Sequence, residues 1–475
     1  SPIRVPFVHG MKENPANPYR RDRWTSEMVT VIRGTEGHLL VGLDPVTDRF
    51  GDVELRWHPL GWCVEARIHL DGRRVGPGEH LEAGQVVIGA GADPGTLLDA
   101  WATRLAPQDR AALARREVVR DGVAWCTWYC FKRGITEGIL ADVTDHIVAR
   151  PGLEAIRLIQ LDDGYQRRIG DWLSPSRAFP SGLAGVVSRI RERGLDPGLW
   201  VSPFIAEPGS ELYRAHPGWF LTDRTGRPVS GGWNPLWRTR LHVLDTTLPA
   251  VRTWLGDLFR RLRDMGLGFF KLDYLYPAAF PGLRSDPDVT RAGALRLGLQ
   301  AIREAVGEEG ILLGCGAPLG PALGLVDAMR VSPDVAAFWR MGGVVPRLLG
   351  EDELHGRYAS IRQTMARAFL HDRWWINDPD VLLLGGRTPA AEIRCQAAAV
   401  AASGGLVMLG DDPRRLEARH LELFNWVLEN RNRAGDCPDA ALVHDPTEIL
   451  PRSGRGLRVT MDLKARTVTS DLPMV

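Results

Sequence analysis

FFKLDY, at residues 269–274, is one of eight short apolar runs that determine the predicted fold. The other seven are VAWCTWY (123–129), AIRLIQLDD (155–163), PGLWVSP (197–203), ILLGC (311–315), DAMRV (327–331), WWIND (374–378) and GLVMLGDD (405–412). Amphipathic stretches such as ITEGILADVTDHIVAR and VRTWLGDLFRRLRDMG lie between them. Eight apolar strands that alternate with helices are typical of a closed barrel. The sequence therefore predicts an α/β fold with a (β/α)8 TIM barrel over residues 122–432.

Smaller predicted units flank the barrel. Residues 25–92 contain the runs EMVTVIRG, VELRWHPL, CVEARIHL and QVVIGAG between Gly, Pro, Asp and Asn clusters, which indicates antiparallel strands. We predict an N-terminal β-sandwich-like domain over residues 1–95. Leu, Ala and Trp recur at helical spacing over residues 96–121 and predict one linker helix. Residues 433–475, which include GLRVTMDL, predict a small C-terminal β domain.

The composition is that of a globular protein with a small or neutral ligand. Of the 475 residues, 44% are hydrophobic and 25% are charged, and no apolar run reaches the roughly 18 residues that cross a bilayer. The 59 Lys and Arg residues balance 58 Asp and Glu residues, so the net charge is +1. This charge provides no general attraction to nucleic acid or anionic lipid. We expect neither a nucleic-acid partner nor a membrane partner.

The cysteines and the N-terminus favour a cytoplasmic protein. The six cysteines have no CxxC spacing and no dense framework, which favours a reducing compartment. The start, SPIRVPFVHG, lacks the features of a signal peptide, although a leader removed before Ser1 would leave no trace. There is no HExxH motif, no P-loop lysine motif and no His/Cys cluster at ligand spacing. We expect no metal and no cofactor.

Polar side chains follow the predicted strands, where the active sites of TIM barrels form. These strand-end residues are Trp128, Tyr129, Asp162, Asp163, Trp200, Lys271, Asp273, Cys315, Arg330, Asp334, Asn377 and Asp378. Carboxylates combined with tryptophans suit a polyhydroxylated ligand with apolar faces, which describes a sugar. Lys271 is one of only four lysines among the 59 basic residues. We expect its compact ammonium group to serve beside a carboxylate.

Five motifs occur in an order that resembles glycoside hydrolase family 36 of clan D. They are LDDGY, PGLWVSP with SELYRAHP, FFKLDY, RVSPD and INDPD, and the resemblance covers roughly residues 95–412. It implies a metal-free, retaining α-galactosidase on a TIM barrel. The family has an aspartate nucleophile after the fourth strand and an aspartate acid/base after the sixth. The matching positions are Asp273 and Asp334.

The residues themselves support this pair. Retaining hydrolysis needs two carboxylates about 5–5.5 Å apart, one ionised and one protonated. We expect the charge of Lys271 to keep Asp273 ionised, and burial on the loop after Pro333 to raise the pKa of Asp334. Taken alone, an aspartate at a strand end is more often a cap or turn residue.

The resemblance also assigns substrate-binding residues. It implies that Asp162 and Asp163 accept hydrogen bonds from two sugar hydroxyls, commonly O4 and O6, although a helix N-cap would explain either residue. Trp200 either stacks on a sugar ring or packs in the core. Trp128 and Tyr129 line the pocket in similar proteins, and core packing is their alternative.

Three further positions have two interpretations each. Arg330 contacts the sugar or pairs with an acidic neighbour. Cys315, in GCGAPLG, differs from the Ser- and Gly-rich segment of many relatives but resembles a ligand for a ring hydroxyl, so the fine substrate preference is open. Asp378 orients other residues or forms a turn with Pro379.

The predicted substrate is an oligosaccharide with terminal α-linked galactose. Transfer to a sugar acceptor would use the same intermediate, and an α-glucosidase or α-N-acetylgalactosaminidase would differ at the groups that meet O4 and O2. A carbohydrate-binding barrel without activity and a metal-dependent barrel lyase are alternatives of other classes. The N-terminal part is shorter than the β-sandwich of many relatives, which leaves the oligomeric state, including a homo-oligomer, open.

Overall fold

The structure is a computed structural model that describes residues 2–4, 23–107, 109–340, 355–431, 435–436, 447–451, 456–469 and 473. Two antiparallel sheets form its N-terminal part. One contains β1 (Pro2–Arg4), β3 (Val29–Arg33), β4 (His38–Asp44) and β7 (Gln85–Gly91), and the other contains β2 (Arg23–Glu27), β5 (Gly51–His58) and β6 (Gly61–Ile68). The alternating patterns therefore predicted antiparallel strands correctly in this region.

Strand β4 is not among the predicted strands. Its sequence, HLLVGLD, does not alternate between apolar and polar residues, and four consecutive residues from Leu40 to Leu43 are buried. A strand covered on both faces loses the period of two that reveals a half-buried strand. The N-terminal boundary at residue 95 remains a prediction.

Two helices, not one, connect the strands to the barrel. Helix α1 (Pro94–Leu105) begins after Asp93, whose carboxylate accepts a hydrogen bond from the Thr96 N–H at 2.6 Å. It ends at Ala106, which is extended at φ −62° and ψ 134°. Ala106 precedes Pro107, and the proline ring excludes the helical conformation from the residue before it. Helix α2 (Arg110–Asp121) then leads to the barrel.

Eight parallel strands form the barrel, and all eight predicted runs contain one. They are β8 (Val123–Cys126), β9 (Leu158–Leu161), β10 (Asp196–Val201), β14 (Phe269–Leu272), β15 (Ile311–Gly314), β16 (Ala328–Arg330), β17 (Ile376–Asp378) and β18 (Val407–Leu409). The strand order in the sheet is β17, β16, β15, β14, β10, β9, β8 and β18. Between β17 and β18, the Leu406 N–H donates to the Asn377 carbonyl at 2.9 Å. The predicted TIM barrel is thus confirmed.

The remaining elements surround the barrel. The helices are α3 (Trp128–Phe131), α4 (Glu137–Ala149), α5 (Gly182–Glu192), α6 (Glu211–Ala215), α7 (Pro249–Asp264), α8 (Arg291–Val306), α9 (Leu319–Ala322), α10 (Arg357–Ala366), α11 (Ala390–Ser403) and α12 (Ala418–Glu429). Short 3-10 turns lie at Lys132–Gly134, Pro217–Trp219, Tyr276–Ala279, Ala368–Leu370 and Pro413–Arg415. None of the described helices combines the length and the hydropathy needed to cross a membrane.

Two further antiparallel sheets complete the fold. A three-stranded sheet inserted after β10 contains β11 (Ile205–Ala206) and a hairpin of β12 (Ser230–Asn234) and β13 (Thr239–Val243). We call β12 and β13 with their turn the inserted hairpin. Near the C-terminus, β19 (Gly435–Asp436), β20 (Thr447–Pro451), β21 (Val459–Asp462) and β22 (Thr467–Thr469) form the other sheet. The run GLRVTMDL contains β21, as predicted, and the boundary at residue 433 remains a prediction.

A buried ion network ties α2 and α8 to the sheet. Asp327, with 1% of its surface exposed, accepts hydrogen bonds from the Arg115 Nε–H and the Arg303 NH2 group, both at 2.6 Å. The Leu312 N–H of β15 donates to the same carboxylate at 2.8 Å. Removing one partner from such a network leaves buried charge without compensation.

We therefore expect Asp327→Ala to lower the free energy of unfolding by about 3–5 kcal/mol, because one buried and one partly buried guanidinium group lose their carboxylate. Urea denaturation of the variant and the parent chain measures the difference. Asp257→Ala is the control, because Asp257 pairs with Arg260 at 2.6 Å on the surface, where a pair contributes about 0–1 kcal/mol. Equal stability losses in the two variants would contradict a structural role for the Asp327 network.

Candidate active site

The carboxyl ends of the barrel strands collect the polar residues predicted from the sequence. Asp162 and Asp163 follow β9, Asp273 follows β14, and Cys315 follows β15. Arg330 ends β16 and Asp378 ends β17. Because parallel strands of one barrel end at the same rim, the closed sheet brings these residues together.

Asp273 is held by two neutral donors. The Trp200 indole N–H donates to Oδ2 at 3.0 Å, and the Tyr274 backbone N–H donates to Oδ1 at 2.7 Å. Tyr274 has a left-handed backbone at φ 50°, and its hydroxyl accepts a hydrogen bond from the Asn234 amide at 3.1 Å. The two hydrogen bonds fix the orientation of the Asp273 carboxylate.

Trp200 contributes its polar edge to the site. Only 2% of its surface is exposed, and its ring lies 5.6 Å from that of Trp172 and 6.2 Å from that of Trp237. Of the two interpretations, core packing therefore describes the ring face. The indole N–H is the part of Trp200 that acts on the candidate nucleophile.

Lys271 pairs with a carboxylate other than the expected one. Its ammonium group lies 2.8 Å from Asp162 Oδ2, and both side chains are buried. The Gln160 amide also donates to this oxygen, at 2.6 Å. Burial is the largest single effect and lowers the pKa of Lys271, but Asp162, Cys126 and Cys315 together raise it, so the pKa lies above its ordinary value. We expected the charge of Lys271 to keep Asp273 ionised, and this stays a prediction. The ammonium group of Lys271 pairs with Asp162, while Trp200 and Tyr274 provide the hydrogen bonds to Asp273.

Asp163 is held by two donors, one from its own loop and one from the inserted hairpin. The Gln166 amide donates to Oδ1 at 2.6 Å, and the Trp237 indole N–H donates to Oδ2 at 2.8 Å. Burial raises the pKa of Asp163 above its ordinary value. The alternative that the aspartate pair caps a helix does not hold, because the next helix begins at Gly182.

Trp237 is a site residue that the sequence analysis missed. It lies in the turn between β12 and β13, outside the eight βα units. Its ring is 5.2 Å from that of Tyr274, so it contacts groups beside both Asp163 and Asp273. Two aromatic residues in the segment WNPLW were the available signal, but nothing in the segment indicated its distance from the rim.

Arg330 is the centre of a buried ion cluster. With 2% of its side chain exposed, it lies 2.9 Å from Asp378, 2.8 Å from Asp380 and 3.3 Å from Asp334. Pairing with acidic neighbours is thus the interpretation that the structure supports. Asp334 itself is 47% exposed, so the expected burial of this carboxylate is corrected.

Asp380, the last residue of INDPD, was not singled out from the sequence. It accepts hydrogen bonds from the Val335 N–H at 2.7 Å and from the Tyr129 hydroxyl. Its own N–H donates to Asp378 Oδ1 at 2.8 Å. Asp378 therefore both forms the predicted turn and orients its neighbours. Tyr129 is connected to the site by its hydrogen bond to Asp380.

Both candidate catalytic carboxylates act electrostatically on the Cys315 thiol. Burial raises the pKa of its thiol well above the ordinary value, and Asp273 and Asp334 both add to the rise. Asp273, Asp334 and Asp163 likewise add to the raised pKa of Tyr274, of which burial is the main cause. All three aspartates therefore act on Tyr274, and two of them also act on Cys315. Trp128 is half-buried and packs against the barrel core.

A cavity lies away from this site. A cavity of about 470 Å³ opens at the opposite end of the barrel, beside Val123, Leu158, Phe269 and Ile311. These residues begin their strands, whereas TIM-barrel chemistry occurs where the strands end. We therefore place the candidate site at the carboxyl rim.

Among the described residues, no group of three or more His, Cys, Asp or Glu is arranged to hold a metal ion.

Several known proteins similar to this chain are α-galactosidases. A Melibiase family model matches residues 145–286. TtGalA, an α-galactosidase from Thermus thermophilus solved with p-nitrophenyl α-D-galactopyranoside, is 32% identical, and the match covers 85% of this chain and 76% of that one, with a TM-score of 0.71. The same enzyme has also been solved with stachyose.

A second relative connects the chain to a numbered family. Alpha-galactosidase AgaA from Geobacillus stearothermophilus is 43% identical over 97 residues, which are 19% of this chain but only 13% of that protein. Its crystal structure, described as a GH36 α-galactosidase, shares the fold at 16% identity and a TM-score of 0.60, over 94% of this chain and 62% of that one. Given the extent and identity of the Thermus match, the chain belongs to the α-galactosidase family, glycoside hydrolase family 36.

Proposed function

We propose that this chain is a retaining α-galactosidase that removes terminal α-linked galactose from oligosaccharides. The observation that carries the proposal is the contrast between two carboxylates at one rim. Asp273 is held by two neutral hydrogen-bond donors, whereas Asp334 is half-exposed beside a buried ion cluster. Retaining glycosidases need one carboxylate that attacks and one that carries a proton. The Thermus relative, solved with an α-galactoside and with stachyose, supports the substrate class.

In the first step, Asp273 attacks the anomeric carbon of galactose while the glycosidic bond breaks. Asp334 donates its proton to the departing oxygen, and the sugar remains attached to Asp273 through a β-linked ester. The Trp200 and Tyr274 N–H groups hold the carboxylate in place before the attack. These neutral donors orient the carboxylate without pairing it with a fixed cation, which would make it a weaker nucleophile.

In the second step, Asp334 acts as a base. It takes a proton from water, which attacks the anomeric carbon from the face that the leaving group vacated, and Asp273 departs. Two inversions give galactose with its original α configuration. The half-exposed position of Asp334 suits this step, because water and the leaving sugar must both reach it.

Recognition of the sugar is proposed for Asp162 and Asp163. Both are buried acceptors held in fixed orientations, Asp162 by Lys271 and Asp163 by Trp237. Each carboxylate oxygen has two lone pairs, so these bonds leave acceptor capacity for sugar hydroxyls such as O4 and O6. Cys315 and Arg330 are proposed to meet ring hydroxyls, and Trp128 and Tyr129 are proposed to line the pocket.

The cytoplasmic location also remains a proposal. The described cysteines, Cys63, Cys126, Cys130, Cys315 and Cys395, are all free thiols, which supports a reducing compartment.

A panel of p-nitrophenyl α- and β-glycosides, with the product anomer followed by NMR, tests substrate, stereochemistry and transfer to sugar acceptors together. Activity that survives a chelator would argue against the lyase alternative.

If Asp273 is the nucleophile, Asp273→Ala should lose several kcal/mol of barrier lowering, at about 1.4 kcal/mol for each tenfold in rate, while folding normally. Added azide should restore activity and form the β-galactosyl azide, because one direct displacement inverts the anomeric carbon. Steady-state rates and NMR of the azide product measure this. Asp257→Ala on the surface is the control, and ordinary turnover by Asp273→Ala would contradict the assignment.

If Asp334 is the acid/base, Asp334→Ala should lose far more activity on poor leaving groups than on 2,4-dinitrophenyl galactoside, which needs little protonation. The covalent intermediate should then accumulate, because no base activates water. Azide should speed turnover and give the α-galactosyl azide, the product of two inversions. Equal losses on both substrates without azide rescue would leave Asp334 as a turn residue.

If Asp162 and Asp163 bind galactose hydroxyls, alanine at either position should weaken transition-state binding of galactosides by about 1.5–3 kcal/mol. A residual glucoside activity should fall less, because its O4 points differently. The ratio of kcat/KM values for the two p-nitrophenyl α-glycosides measures this selectivity. Equal losses for both sugars would show that the pair only supports the structure.

A further inference from the structure

The arginine next to Asp334 raises a problem for the proposed acid. The Arg330 guanidinium lies 3.3 Å from Asp334 Oδ1. A cation at this distance favours the ionised carboxylate and lowers its pKa, often by about 1–3 units. An ionised Asp334 could not protonate the leaving oxygen. Some other group must offset the charge of Arg330.

Two buried carboxylates do so. Asp378 contacts the Nε–H of Arg330 at 2.9 Å, and Asp380 contacts its NH2 group at 2.8 Å, with neither carboxylate exposed. Two negative charges on one positive charge leave the cluster with a net negative charge before Asp334 ionises. A like charge nearby disfavours ionisation, so the cluster favours protonated Asp334.

Asp380 has the hydrogen bonds of an ionised group. The Val335 N–H and the Tyr129 hydroxyl donate to Oδ2, while the Val381 N–H donates to Oδ1 and Arg330 lies beside it. Burial raises the pKa of Asp380 and Arg330 lowers it; Asp334 and Asp378 also raise it and the Tyr129 hydrogen bond lowers it, so that the pKa is about 7. Every one of these contacts uses the carboxylate as an acceptor, so the geometry favours its charged form.

Asp380 also fixes the position of the acid/base segment. It binds the backbone of Val335, the residue after Asp334. The preceding carbonyl, of Pro379, accepts hydrogen bonds from Ser332 at 3.0 Å and Ser360 at 2.9 Å. A left-handed backbone at φ 76° directs Asp380 into this position. One residue thus sets both the place and the electrostatic surroundings of Asp334.

We propose that Asp380 is a positioning residue that keeps Asp334 protonated for the first step by neutralising Arg330 and anchoring the segment at Val335. This inference rests on the proposed function, because it assigns the acid/base role to Asp334. Titratable or charged groups that act on Asp334 come from several elements of the described part of the chain. They include Arg330, Asp380, Tyr129, Tyr274 and Cys315.

The test is the pH dependence of kcat/KM in Asp380→Asn. Asparagine removes the charge, so Arg330 is less compensated and the pKa of Asp334 falls. With methyl α-galactoside, whose leaving group needs a proton, the basic limb should move to lower pH by about one unit. Above that limb the variant should be about tenfold slower than the parent enzyme. With 2,4-dinitrophenyl galactoside, which needs little protonation, the change should be small.

Asp411→Asn is the matched control. Asp411 is another carboxylate at the same rim with a pKa raised by burial, and it binds the N–H groups of Leu384 and Gly385 at 2.6 and 3.0 Å. The cations that lower its pKa are Arg357 and His420, so its replacement should leave the basic limb in place even if stability falls. In either variant, a merely structural loss would lower kcat/KM equally for both substrates.

Tyr129→Phe keeps the experiment decisive if Asp380→Asn does not fold. It removes one donor from ionised Asp380 and should move the limb in the same direction by a smaller amount. An unmoved limb in the folded variant, or a shift to higher pH, would overturn the inference. Failure of the proposed function is distinguishable, because Asp334→Ala would then keep its activity on methyl α-galactoside.

Discussion

The buried guanidinium of Arg330 is the interaction on which the candidate site depends. A charge removed from water is stable only if opposite charges surround it, and Arg330 has Asp378, Asp380 and Asp334 within 3.3 Å. These carboxylates come from the end of β17, the turn after it and the segment after β16. Pairing Arg330 therefore fixes the relative positions of two neighbouring strand ends and of the candidate acid/base.

A second buried cation organises the other side of the rim. Lys271 pairs with Asp162 across strands β14 and β9, while Trp200, from the strand between them, donates to Asp273. The candidate nucleophile is therefore bound by neutral donors, although it lies two residues from a lysine. This arrangement separates the proposed sugar-binding carboxylate, Asp162, from the proposed nucleophile, Asp273.

The hairpin inserted after β10 adds the remaining wall. Trp237 carries its indole N–H to Asp163 and its ring to Tyr274, so an element outside the barrel repeat orients a proposed recognition residue. Selectivity can thus vary with the hairpin, whereas the strand ends that hold Asp273 and Asp334 belong to the barrel itself. Loops on a rigid scaffold commonly have this role.

The sequence by itself determined the barrel and most of its rim. Eight apolar runs separated by helical patterns allow few folds. The polar residues at the ends of these runs include Asp162, Asp163, Asp273 and Arg330, which the structure places at one rim. Local chemistry also explains two differences. Pro107 divides the predicted linker helix, and burial on both faces hides strand β4 from the period-two pattern.

Only the tertiary structure decided which of these residues are partners. The sequence places Lys271 beside Asp273, but barrel closure places its ammonium group on Asp162, which is 109 residues away. The local signals at Trp237 and Asp380 did not reveal their roles, because a turn tryptophan and an aspartate after a proline are ordinary until their neighbours are known. Local periodicity is a property of the chain, whereas charge pairing depends on distances that exist only after the strands close into a barrel.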